Sequence, residues 1–180
     1  MDVLLTSDVL RAARSLLGLS QRSLEVRVEL ARSSIVAAES ENSAASSTTI
    51  FKLRDFYVTN GLEFLGTIDV ATGKAYGVGV RWRMPSQLPP SGDLESIVST
   101  RGPGLAFVAA RSLLNKQQSE IAAILKITEY RVRILETDKA IDVVAAKVLR
   151  SYYEGQGVEF LGWEDISREL YYGVGVRWKA

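Results

Sequence analysis

"YGVGVRW" occupies Tyr76–Trp82 and returns unchanged at Tyr172–Trp178. Two identical heptapeptides in a chain of 180 residues point to an internal repeat, and a repeat fixes the architecture before any local reading. Further matches follow outward from the two copies, in the same order. "GLEFLG" at Gly61–Gly66 is answered by "GVEFLG" at Gly157–Gly162, 96 residues later, and "AARSLL" at Ala12–Leu17 by the same letters at Ala109–Leu114, 97 residues later. One residue is lost between these anchors, after Glu39. The spacing predicts one unit written twice in tandem, over residues 1–83 and 101–180. The stretch between, 84–100, holds three of the four prolines with Ser and Gly around them. That mixture blocks helix and predicts a linker.

Composition bounds the function. The formal net charge is +1 and the hydrophobic fraction 47%, so a core is affordable and no strong global attraction to nucleic acid exists. Any nucleic-acid contact must come from a few placed cations. The chain has no Cys and no His. That removes thiol nucleophiles, disulfides, zinc fingers and imidazole acid–base chemistry. No metal, no cofactor and no enzymatic activity are expected. No run approaches a membrane span and no removable signal opens the chain, so a cytoplasmic protein without membrane contact is expected.

Each unit reads as helices followed by a hairpin. In "SDVLRAARSLLG", Ser7 suits an N-cap, Gly18 a C-terminal stop, and Leu10, Ala13, Leu16 and Leu17 recur at helical spacing. Further helices are predicted after Ser20, over about 32–39 and over about 48–60. In the second unit they are predicted near 104–115, 118–125, 129–136 and 141–154. "LEFL" and "GVGVRW" alternate as strands do, with "ATGK" at Ala71–Lys74 as a turn; in the second unit the strands are predicted at 158–161 and 173–178. "SLEVRVEL" (Ser23–Leu30) also alternates in the β manner, but its counterpart "EIAAILKI" (Glu120–Ile127) favours helix. Copies of one unit share element types, so helix is predicted for both. The fold class is therefore mainly α with small β. Val78, Val80 and Trp82 share one strand face, as do Val174, Val176 and Trp178, while the glycines at 77, 79, 173 and 175 leave the other face bare for a close approach. A lone two-stranded hairpin is marginal in water. Either the two hairpins meet and build an intramolecular pseudo-dimer, or each covers its own helices.

"LLGLSQRSLEVRVELARSSIVAAE" (Leu16–Glu39) and "LLNKQQSEIAAILKITEYRVRILE" (Leu113–Glu136) resemble the helix-turn-helix of the XRE, or Cro and lambda-repressor, family. The likeness rests on Gln21, Leu24, Ile35 and Glu39, and on Gln118, Ile121, Val132 and Glu136. The "GVEFLG … GVGVRW" tail resembles short members of the same family. The sequence departs from the pattern where Glu25 replaces a small packing residue that Ala122 keeps. It departs again where Glu29 and Lys126 replace the turn glycine, and where Ala31 replaces a Ser or Thr cap that Thr128 keeps.

The resemblance implies a sequence-specific regulator that reads double-stranded DNA through an imperfectly symmetric site, with another regulator or RNA polymerase as a possible protein partner. It implies structural salt bridges Arg14–Glu39 and Arg111–Glu136. It places Gln21 and Gln118, with Arg22, at helix starts that suit an anion; the alternative for the glutamines is an ordinary helix start. Arg32, Ser33, Ser34 and Val36 would face the DNA from the first copy, and Tyr130, Arg131 and Arg133 from the second, where Glu129 opens the helix against phosphate. Arg reads guanine by a bidentate bond and Val touches a thymine methyl. The two faces differ, so they cannot read identical half-sites alike. The alternative is a protein-interaction module, an antiactivator or antirepressor, built on the same fold with DNA binding lost. The oligomeric state beyond the single chain is left open.

Overall fold

The computed structural model describes residues 5–41, 45–85, 102, 104–137, 142–165 and 170–180. Apart from its first two positions, the linker predicted over 84–100 lies outside the described residues. The first half runs α1 (Ser7–Leu16), α2 (Gln21–Val28), α3 (Arg32–Ala38), α4 (Ser47–Thr59), β1 (Leu62–Ile68) and β2 (Ala75–Trp82). The second runs α5 (Gly104–Leu113), α6 (Gln118–Leu125), α7 (Glu129–Leu135), α8 (Val143–Gly155), β3 (Val158–Asp165) and β4 (Leu170–Trp178). No helix among the described residues is long and apolar enough to cross a membrane.

Local chemistry sets most boundaries. α1 begins one residue earlier than the Ser7 cap predicts: Thr6 is the extended flanking residue, and its side chain makes no capping bond. Gly18 closes α1 at φ +66°, and Asn115 takes the same left-handed turn after α5 at φ +52°. Asn is among the residues that tolerate that region best. α2 is helical despite its alternating pattern, because only Leu24 is fully buried on it, so a single anchor decides its face.

The sheet is larger than the sequence predicts. Helix makes up 51% of the described residues but strand 22%, so the fold is mixed rather than mainly helical with a small β part. All four strands exceed their predicted lengths: β2 and β4 begin earlier than 77 and 173, and β1 and β3 run on past 65 and 161. The latter two continue past the point where alternation fails, through an irregularity between Leu65 and Thr67 and again between Leu161 and Trp163. Gly66 and Gly162 stand at those breaks with φ +143° and +147°, a conformation that side chains resist. A bulge there re-aims the strand and pairing resumes beyond it.

All four strands form one antiparallel sheet in the order β1-β2-β4-β3. At its centre Val80 stands opposite Val176, Gly79 opposite Arg177 and Arg81 opposite Gly175. Val80 and Val176 bury their side chains toward the helices, in one row with Phe64 and Phe160. On the other face each arginine lies across from a glycine and bonds outward to an edge strand. Arg81 pairs with Glu63, and Arg177 Nε donates to Glu159 Oε2 at 2.7 Å. A Cβ on Gly79 would fall 2.3 Å from Arg177 Cβ and 2.3 Å from the Val176 carbonyl, and one on Gly175 would meet Arg81 Cβ and the Val80 carbonyl at the same distances. The glycines of the repeated heptapeptide are what let β2 and β4 close on each other.

Beneath the sheet α1 packs on α5. The Ser15 and Ser112 hydroxyls meet at 2.6 Å, and Arg11 Nε donates to the Ser112 carbonyl at 3.1 Å. Buried apolar residues of both halves form one continuous core, from Val9, Leu10 and Leu16 to Ala109, Leu113 and Leu149. We predict that Gly79→Ala or Gly175→Ala destabilises the protein by about 1–3 kcal/mol through overpacking at the β2–β4 seam. Gly155→Ala, whose Cβ would meet nothing within 4 Å, leaves stability unchanged or raises it by up to about 1 kcal/mol. Urea denaturation midpoints check both, and equal midpoints for all three variants would contradict the packing described.

Candidate nucleic-acid interface

Each half presents a helix–turn–helix pair supported from below by a buried charge cluster. In the first half Ser20 caps α2, its Oγ accepting from Ser23 N at 3.0 Å. Glu29 then turns the chain at φ +53°, and Lys126 does the same at φ +54° in the second half. Both positions lack the glycine that such a turn favours, yet both adopt its conformation. α3 starts at Ala31 without a side-chain cap, whereas Thr128 Oγ1 accepts from Arg131 N at 3.2 Å at the start of α7. Ile35 and Ala38 anchor α3, and Val132 and Leu135 anchor α7, each set on one buried face.

The cluster under each pair is built alike. Arg14 Nε and Nη2 grip the two carboxylate oxygens of Glu39 at 2.6 and 2.9 Å, and Nη1 donates to the Leu19 carbonyl at 2.9 Å. Arg111 grips Glu136 at 2.5 and 2.8 Å and reaches the Lys116 carbonyl at 3.2 Å. The glutamate side chains are only 3% and 4% exposed, so these are buried ion pairs. Burial alone would lower the Arg111 pKa; the hydrogen bond and charge of Glu136 reverse this and hold it above the ordinary value. The Tyr57 and Tyr153 phenols lie nearby, buried and without a hydrogen-bond partner among the described residues. Burial pushes both up in pKa, and the Glu39 or Glu136 charge adds to the shift.

The glutamines expected at phosphate belong to the same clusters. Gln21 Nε2 donates to Glu39 Oε2 at 2.8 Å and Gln118 Nε2 to Glu136 Oε2 at 2.6 Å. Each ties the start of its helix to the end of the following one, so its amide is already engaged in the free protein.

The remaining site residues divide by half. In the first, Arg22, Arg32 and Ser33 are exposed, Val36 is 44% exposed and Ser34 is partly buried. Arg22 and Arg32 have no ion-pair partner among the described residues. In the second, Glu129, Tyr130, Arg131 and Arg133 are all exposed, but the cations are engaged. Arg131 Nε bonds Asp142 Oδ2 at 2.9 Å, and Arg133 stands over the Tyr130 ring at 5.2 Å from its centroid. Asp142 also caps α8, its Oδ1 accepting from Ala145 N at 3.0 Å. Those bonds, the backbone cap first and Arg131 second, hold the Asp142 carboxyl below its usual pKa.

Two participants escape the sequence reading. Asp142 lies eleven residues from Arg131 and in the next helix, so no short-range pattern links them. Arg11 is 7% exposed and donates from Nη1 to the Glu39 carbonyl while its Nε holds Ser112 of the other half. Burial lowers its pKa, opposed by Asp8, Glu41 and Glu39. The position 97 residues later is Val108, so the contact exists once. In the sequence Arg11 shares its helix face with Ser7, Asp8, Arg14 and Ser15, so nothing there marked it as buried.

Compared with family models, curated proteins and solved structures, the chain shows no match.

We predict that Glu136→Ala strands Arg111 in a buried site and costs about 3–5 kcal/mol. Replacing both partners, as in Arg111→Met with Glu136→Leu, recovers most of that loss, because the apolar pair leaves no buried charge. Guanidinium denaturation of the single and double variants measures it. A single variant as stable as the parent would show that the pair is not structural.

Proposed function

We propose that this chain is a sequence-specific DNA-binding transcriptional regulator, built as a tandem repeat whose two helix-turn-helix units form a pseudo-dimer within one polypeptide. The observation that carries this reading is the α3 face. Arg32, Ser33 and Val36 stand out from a helix whose other side is fixed by Ile35, and Arg32 is free of any carboxylate among the described residues. A free guanidinium beside a small hydroxyl and a branched methyl surface suits a major-groove edge. Arg22 at the start of α2 is equally free to meet a phosphate. The shared β2–β4 seam and the α1–α5 packing support the pseudo-dimer, since each joins a residue to its counterpart in the repeat, Val80 to Val176 and Ser15 to Ser112. Two such units on one side of a protein can address grooves about 34 Å apart.

A second reading has its own observation. The α7 face carries Glu129 and engages both of its arginines internally. That favours a protein-facing role for the second half, as in an antiactivator or antirepressor. The two readings combine into an asymmetric regulator: the first half reads bases, and the second contributes scaffold, backbone contact or a partner surface. A cytoplasmic location, where such a regulator meets its DNA, is part of the same proposal.

The test is a binding selection on random duplexes at low salt. The parent enriches an imperfectly symmetric motif, with affinity that falls steeply as salt rises. Arg32→Ala costs about 1–3 kcal/mol and relaxes preference at one position. Arg133→Ala, whose guanidinium already rests on Tyr130, costs less. A parent that enriches no sequence would remove the DNA reading and leave the protein-interaction module in its place.

A further inference from the structure

Asp142 does two things at once. Its Oδ1 caps α8, accepting from Ala145 N at 3.0 Å. Its Oδ2 holds Arg131 of α7, accepting from Nε at 2.9 Å and from Nη2 as well. Two guanidinium N–H groups converging on one anionic oxygen is also the way an arginine grips a phosphate.

The first half shows that the fold does not demand this pair. The positions matching Arg131 and Asp142 are Ser34 and Ser46, 97 and 96 residues earlier. Ser46 Oγ accepts from Thr49 N at 3.2 Å, so a hydroxyl is enough to cap α4. Ser34 is partly buried, whereas Arg131 is exposed. Capping thus explains an oxygen at position 142, but neither its charge nor the arginine eleven residues before it. The pair is also open to exchange. The Arg131 and Asp142 side chains are 48% and 36% exposed, so solvent and ions reach both. An exposed pair of this kind shifts an equilibrium by no more than about fivefold. With Oδ1 held by Ala145 N, the carboxylate keeps its place when the guanidinium leaves, and only Arg131 has to move.

We propose that Asp142 stands in for a DNA phosphate: it occupies Arg131 in the free protein, competes with the duplex for it, and so keeps the second half below its full affinity. The inference rests on the DNA-binding reading and adds a built-in restraint to it. The test is fluorescence anisotropy of a labelled mixed-sequence duplex, titrated with the full chain over a series of salt concentrations. Asp142→Asn retains a good cap and removes the competing charge. It tightens binding by about two- to fivefold, and the plot of log affinity against log salt steepens by about one, as one more phosphate contact requires. Asp142→Ser, which copies the first half, gives the same result, and circular dichroism verifies that both variants stay folded. In an Arg131→Ala background the gain and the steeper slope disappear. An equal gain with Arg131 already removed would mean a general charge effect and would overturn the proposal. Arg22→Ala supplies the reference, weakening binding and flattening the slope by about one. If Arg22→Ala does so while Asp142→Asn changes neither affinity nor slope, the restraint is refuted and the DNA reading stands. If neither the parent nor Asp142→Asn binds the duplex at low salt, both are refuted.

Discussion

The pairing of β2 with β4 is the contact on which the rest of this molecule depends. It is short, yet it joins two hairpins that would each be marginal alone. The seam works because two side chains are missing. With Gly79 and Gly175 across from Arg177 and Arg81, the arginine stems lie flat over bare backbone, and their guanidinium groups reach the edge-strand glutamates Glu63 and Glu159. On the opposite face Val80 meets Val176 and closes the top of the core. The sheet in turn holds α1 against α5, where Ser15 and Ser112 touch hydroxyl to hydroxyl. Two of these contacts, Val80 with Val176 and Ser15 with Ser112, join residues at matching positions of the repeated sequence.

Departures from that symmetry carry the individuality of each half. Trp178 Nε1 donates to Asp8 on α1, while the buried Trp82 Nε1 has no partner among the described residues. The residue of α5 equivalent to Asp8 is Leu105, which offers no acceptor, and that accounts for the orphan. The two ends of the seam therefore differ in their contacts. Arg11 adds a second inequality: one guanidinium links the end of the α3 region to α5 of the other half, and Val108 cannot return the link. Orientation of the first helix-turn-helix is thereby coupled to the second half more firmly than the reverse.

Much of this was legible in the sequence, and the failures have physical causes. The helices fell where caps, glycines and the 3.6-residue period indicated. The α2 segment was ambiguous because Leu24, Val26, Val28 and Leu30 alternate, yet Val26 is 76% exposed and the alternation buries little. Comparison with the equivalent stretch, not the local pattern, identified the helix. The strands ran long because a bulge at Gly66 and Gly162 preserves pairing while destroying alternation, and alternation was the only sequence signal in use. The Arg–Glu partners were readable only through the family resemblance. Binding of Gln21 and Gln118 to the same glutamates was not readable, since it depends on how α2 and α6 rotate.

The two halves share a sheet and a core and therefore fold as a single unit. Differential scanning calorimetry of the intact chain tests this most directly. Shared burial at the seam predicts one transition whose calorimetric and van 't Hoff enthalpies agree, a ratio of about one. Two resolved transitions, or a van 't Hoff enthalpy about half the calorimetric value, would mean that the halves unfold independently and that the seam does not hold them together.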